Sequence, residues 1–153
     1  MSTYTATIRW KRGVSEAYSD GRYSRAHEWA FDGGAVVSAS ASPHIVLAPH
    51  SDAAGVDPEE AFVASLASCH MLFLLDFARR GGFVVDSYSD EAEGVLAKRA
   101  DGRMAMTRVT LRPRIAWGGD KVPDASKVAE LHHQAHEACF IANSVTTEVT
   151  IEQ

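Results

Sequence analysis

Cys69 lies in the apolar run "DPEEAFVASLASCHMLFLL" at 57–75, with Glu59 and Glu60 at its start and His70 directly behind the thiol. A cysteine acts as nucleophile or metal ligand only as the thiolate. The second cysteine, Cys139, closes "ELHHQAHEAC", where His132, His136 and Cys139 fall at i, i+4 and i+7 on one helical face, and His133 precedes His136 by three. Two chemistries fit these residue types. One is thiol redox chemistry shared by the two cysteines; the other is metal coordination by imidazole and thiolate. Packing competes with both, since free cysteine is among the most buried residues and histidines are favoured at helix C-termini by the helix dipole.

A reactive Cys69 needs help that its own helix cannot give. It lies twelve residues past the helix cap at Asp57, roughly 18 Å along the axis, whereas the dipole acts over one turn. A cation must come from elsewhere: His70, or an arginine such as Arg22 or Arg25 in "GRYSRAHEW". Spacing alone prefers neither arginine. Glu59 precedes Cys69 by ten residues, ~15 Å of helical rise, so the two cannot touch within one straight helix. Either the helix breaks, or a second subunit completes the site, or Glu59 and Glu60 serve only the dipole.

The elements that must position these side chains are legible. Residues 3–12, 23–31 and 35–41 alternate as strands, separated by turns at Gly13, "SDGR" and "DGG". A long loop, 42–56, holds two prolines and two histidines. Asp57, Pro58 and Glu60 form a capping box with proline at the first helical position. That predicts a helix to about Arg80, ended by "GG" at 81–82. Apolar almost all round, it belongs in a core or a subunit interface. Residues 83–99 and 104–117 read as a long hairpin about "ADGR", a second helix as Ala125 to Cys139, and 144–152 as a last strand. The expected fold is α+β, ordered β-β-β-α-β-β-α-β, in a single domain over 1–153.

Net charge is −5, from 15 Lys and Arg against 20 Asp and Glu, which argues against a nucleic-acid binder. The N-terminus has no signal-peptide pattern. The apolar stretch 61–75, fenced by Glu59, Glu60 and Asp76, falls short of the roughly 20 residues of a membrane span. A cytoplasmic protein without membrane partners is expected, and there a purely structural disulfide is rare.

"DPEEAFVASLASCHM" and "HHQAHEACFIANSV", seventy residues apart, resemble the two signature segments of the OsmC/Ohr superfamily of osmotically inducible and organic hydroperoxide resistance proteins. "YSRAHEW" and "MTRVTLRP" are similar to its OsmC-like branch, and the resemblance covers essentially the whole chain. It implies an intertwined homodimer with central apolar helices and sites at the interface. It implies also a thiol peroxidase of oxidative or osmotic stress defence that uses no metal or cofactor and reduces organic hydroperoxides to alcohols. Cys69 matches the peroxidatic and Cys139 the resolving cysteine; Glu59 matches the acidic residue that holds an arginine to the thiolate, with Arg25 the better match and Arg22 the other. Phe62, His70 and Phe73 would line the alkyl chain, and a dithiol such as a dihydrolipoyl protein would be the reductant. His70 and "CFIANS" depart from the organic hydroperoxide resistance branch. The competing reading is a metal- or small-molecule-binding stress protein using the His132, His136 and Cys139 face.

Overall fold

In a computed structural model, all residues Met1–Gln153 are described. They form two compact units, Met1–Ala61 and Phe62–Gln153.

In the first unit β1 (Ala6–Arg9), β2 (His27–Phe31) and β3 (Val36–Ala39) form an antiparallel sheet in sequence order. Its strands are shorter than the alternation at 3–12 and 23–31 predicts. Residues 10–26 instead build an aromatic knot: Trp10 packs edge-on to Tyr23, which stacks on Tyr18 with ring centroids 4.6 Å apart. The indole N–H of Trp10 donates to Ser24 O, 2.8 Å away. The loop at 42–56 returns to the sheet, where Val56 bridges Ala39. Gly55 is required at this crossing, because a Cβ there would lie 2.9 Å from the Ala39 carbonyl carbon.

Helix α1 (Pro58–Arg80) starts as its sequence dictates. Asp57 Oδ1 accepts from the Glu60 amide at 2.8 Å, and Glu60 Oε2 accepts from the Asp57 amide at 3.3 Å, a closed capping box. At the far end Phe83 N–H donates to Ala78 O and Gly82 N–H to Arg79 O, with Gly82 at φ 75°. That is a Schellman stop, sealed by the apolar contact of Phe83 with Ala78.

In the second unit one row of α1, Leu66, His70, Leu74 and Ala78, is buried. Leu66 packs with Val109 and Leu111; Ala78 packs with Phe83 and Leu131. Fully burying each such leucine contributes about 2 kcal/mol. The opposite row, Ala64, Ser68 and Leu72, is exposed, Leu72 by 60%. The expectation that α1 is enclosed on every side is therefore met on one side only within this chain. At 23 residues, with a mean hydropathy of 1.7 over its best window, α1 also has the length and composition of a membrane-crossing helix, contrary to the short-run reading. Core helices of soluble proteins share that length and composition.

The long hairpin forms, but each arm is broken in two. β4 (Val84–Asp90) pairs with β7 (Pro113–Gly118), and β5 (Glu93–Lys98) pairs with β6 (Met104–Leu111). At the break Asp90 Oδ1 replaces a ladder acceptor, taking the Arg112 amide at 2.7 Å. Arg112 in turn donates to Glu152 at 2.9 Å and Glu93 at 3.2 Å. β8 (Glu148–Ile151) joins β6 in parallel, from Arg108 opposite Glu148 to Leu111 opposite Ile151. The expected α+β architecture thus holds, with one parallel pair in otherwise antiparallel sheet. Helix α2 (Ala125–Ala138) starts at Asp124, whose side chain accepts from the Lys127 amide, and ends at Cys139.

Candidate functional site

Cys139 is the residue on which α2 stops. Its backbone leaves the helical region at ψ 111°, and the chain turns into a 3-10 turn at Ala142–Ser144. This puts the first amides of the turn over its sulfur: Ala142 N–H donates to Cys139 Sγ at 3.4 Å. The side chain is 1% exposed.

The structure brings Cys69 to this sulfur. Both thiols are free. Burial first, then interaction with Cys69, hold the Cys139 thiol above its ordinary range, while the amides of Ala142 and Ile141 pull the other way. The S–H···S contact falls short of a well-formed hydrogen bond, so the 3.4 Å amide bond is the better-defined partner of Cys139. The pair is asymmetric. Cys139 is buried and keeps its proton, and negative charge on Cys69 would strengthen that hold; Cys69 is part-exposed and so within reach of a substrate. Beside them Phe73 meets Phe140 edge to face, centroids 5.0 Å apart, and Phe140 is 71% exposed. Phe62 packs instead into the core around Leu66.

His70 does not line an open surface. It is 1% exposed, and its Nε2 lies 2.9 Å from Nδ1 of His132, the two rings within 4° of parallel. Burial, then His132 and His136, lower its pKa to about 4; burial likewise lowers that of His132. Both rings are neutral at neutral pH, and one N–H lies between them. Spacing carried a sign of this: His70 is four residues from Leu66 and from Leu74, in the buried row. Its partner on α2 could not be read from sequence.

The metal reading loses its geometric basis here. His132, His136 and Cys139 share a face, but seven residues span about 10 Å of axis, and Nδ1 of His132 is taken by His70. No three His, Cys, Asp or Glu side chains converge on a point where an ion could sit.

The remaining expected residues belong to the first unit. The guanidinium of Arg25 lies over the Tyr23 ring, 3.7 Å from its centroid, and donates to Gly21 O at 2.7 Å and to Tyr23 O. Glu59 is half-buried in the first turn of α1 and enters no ion pair within the chain. The helix runs unbroken from Pro58 to Arg80. A break that could carry Glu59 towards Cys69 is therefore absent. Arg22 is exposed, and its amide donates to Asp20 Oδ1 at 2.9 Å.

The description OsmC-like protein fits residues 50–153 by family model. A solved OsmC-like protein of unknown function from Vibrio cholerae is 52% identical, each chain covered to 99%, with a TM-score of 0.98. The organic hydroperoxide resistance protein OhrB of Bacillus subtilis is 25% identical, covering 99% of this chain and 97% of its own, with a TM-score of 0.66. One from Legionella pneumophila shares the fold at 18% identity and a TM-score of 0.68, covering 99% of this chain and 97% of its own. No match is found among curated proteins. With two cysteines meeting between α1 and α2 in a fold of this type, the chain belongs to the OsmC-like protein family.

Proposed function

We propose that this protein is a thiol-dependent peroxidase that reduces organic hydroperoxides to alcohols in a cytoplasmic response to oxidative or osmotic stress. The observation that carries the reading is the asymmetric pair, Cys69 part-exposed beside the buried, proton-holding Cys139. Organic hydroperoxide resistance proteins among the structural relatives support it.

The Cys69 thiolate attacks the distal peroxide oxygen. The O–O bond breaks, the alkoxide leaves and takes up one proton, and Cys69 is oxidised by two electrons to a sulfenic acid. Cys139 then attacks that sulfur; the S–O bond breaks, the S–S bond forms, and the Cys139 proton leaves with hydroxide as water. An external dithiol, such as a dihydrolipoyl protein, supplies two electrons and two protons to reopen the disulfide. Phe73 and Phe140 offer the apolar surface that an alkyl group would use.

The cation comes from Arg25, held by Glu59, across a homodimer. Three observations support this arrangement. α1 is unbroken, Glu59 has no partner within its chain, and the row Ala64, Ser68, Leu72 leaves an apolar helix face uncovered.

The test is intact mass and free-thiol count before and after one equivalent of cumene hydroperoxide, followed by dithiothreitol. Loss of both thiols with a decrease of about 2 Da, reversed by the dithiol, is the expected result. Unreacted thiols would remove the peroxidase reading.

A further inference from the structure

His70 and His132 are enclosed, and the reaction above uses neither. We propose that their hydrogen bond is a latch between the two cysteine-bearing helices, which makes both histidines positioning residues for closure of the Cys69–Cys139 disulfide. The inference rests on the two cysteines being a redox pair, though not on peroxide being the oxidant.

The placement carries it. His70 follows Cys69 directly on α1, and His132 precedes Cys139 by seven residues, two turns, on the same face of α2. The Nε2–Nδ1 distance is 2.9 Å, the rings are within 4° of parallel, and the residues are 1% and 3% exposed. Besides the thiols themselves, the two helices meet through apolar contacts: Leu131 with Ala78, and Phe140, just beyond α2, with Phe73. Apolar contact is non-directional, so by itself it specifies the rotation of one helix against another less sharply. A hydrogen bond is directional, and it weakens steeply when bent or stretched. Holding His70 against His132 fixes the rotation of α1 at the residue next to Cys69, and so the direction from which that sulfur meets Cys139.

That direction matters because a disulfide has a narrow geometry. The sulfurs must close to about 2.05 Å with a dihedral near 90°. Misplacing reacting atoms by an ångström slows a reaction by orders of magnitude. The His70 Nδ1 atom is buried without a partner. An apolar pair would fill the site without that cost, so a histidine pair contributes orientation more than stability.

The experiment oxidises the reduced protein with diamide and follows closure by intact mass. Diamide's N=N bond takes two electrons and two protons from the thiols and becomes a hydrazine, so peroxide plays no part. His70→Gln places an amide atom where Nε2 lies, and His132→Asn places one where Nδ1 lies; neither titrates. His70→Asn is too short, and His70→Leu and His132→Leu abolish the bond.

The Leu variants and His70→Asn should close about tenfold more slowly. His70→Gln and His132→Asn should stay within about threefold of the parent. The double Leu variant should be no slower than either single one, as for one shared interaction. If the Leu variants do not fold, the contrast of His70→Asn with His70→Gln decides. Equal closure rates, or a loss in His70→Gln as large as in His70→Asn, overturn the latch. A parent that closes with diamide but ignores cumene hydroperoxide leaves the latch standing and removes the peroxidase. A parent that closes with neither overturns both.

Discussion

The guanidinium of Arg25 lies 3.7 Å from the centroid of the Tyr23 ring, with its N–H groups on the carbonyls of Gly21 and Tyr23. A planar fork can stack and donate at once; a lysine cannot. Replacing Arg25 by Ala should slow both cumene hydroperoxide reduction and iodoacetamide alkylation of Cys69 by about 10- to 100-fold, the worth of one charge-assisted hydrogen bond. Arg25→Lys should recover little of it. If Arg25→Ala is as fast as the parent while Arg22→Ala is slow, Arg22 is the cation at the thiolate.

Cys139 is buried beside Cys69, and in the proposed mechanism it traps the sulfenic acid before a second peroxide arrives. In Cys139→Ser, excess peroxide should carry Cys69 on to the sulfinic acid, a gain of about 32 Da by intact mass. The parent should stop at the disulfide. A Cys139→Ser protein that keeps its Cys69 thiol unmodified would show that Cys139 is no resolver.

Burial lowers the His70 pKa from 6.5 to about 4. Between those values the unfolded chain binds more protons than the folded one, so stability is full above about pH 6.5 and falls as pH drops towards 4. The loss should reach about 2 kcal/mol by pH 5, read from urea midpoints at pH 7.5 and pH 5. His132 acts in the same sense. His70→Leu should flatten the profile; a parent that is equally stable at both pH values would contradict a buried neutral pair.

Leu72, an apolar side chain 60% exposed on α1, marks the face on which a second copy is proposed to sit. Sedimentation should find the parent a dimer at micromolar concentration and Leu72→Glu shifted towards monomer, with the fold retained by circular dichroism. A monomeric parent would remove the shared site, and Arg25 and Glu59 would lose their proposed roles together.

What sequence alone determined is local or strongly patterned. The start of α1 was legible because Asp57 acts within three residues of itself, and Gly82 stops α1 by its own φ. Cys69 and Cys139 could be picked out from the motifs around them. The rest depended on partners distant in the chain. Asp90 breaks the hairpin only because it meets the Arg112 amide, and β8 runs parallel to β6 because the chain returns through α2. The strand-like alternation of 10–12 and 23–26 yielded to the packing of Trp10, Tyr18 and Tyr23. The histidines show the difference most clearly: on one helix His132 and His136 suggest a metal, but His70, sixty-two residues away, takes the Nδ1 of His132. Periodicity says which face a side chain occupies. Which group fills the hydrogen bond that burial demands is decided by the chain packed against that face.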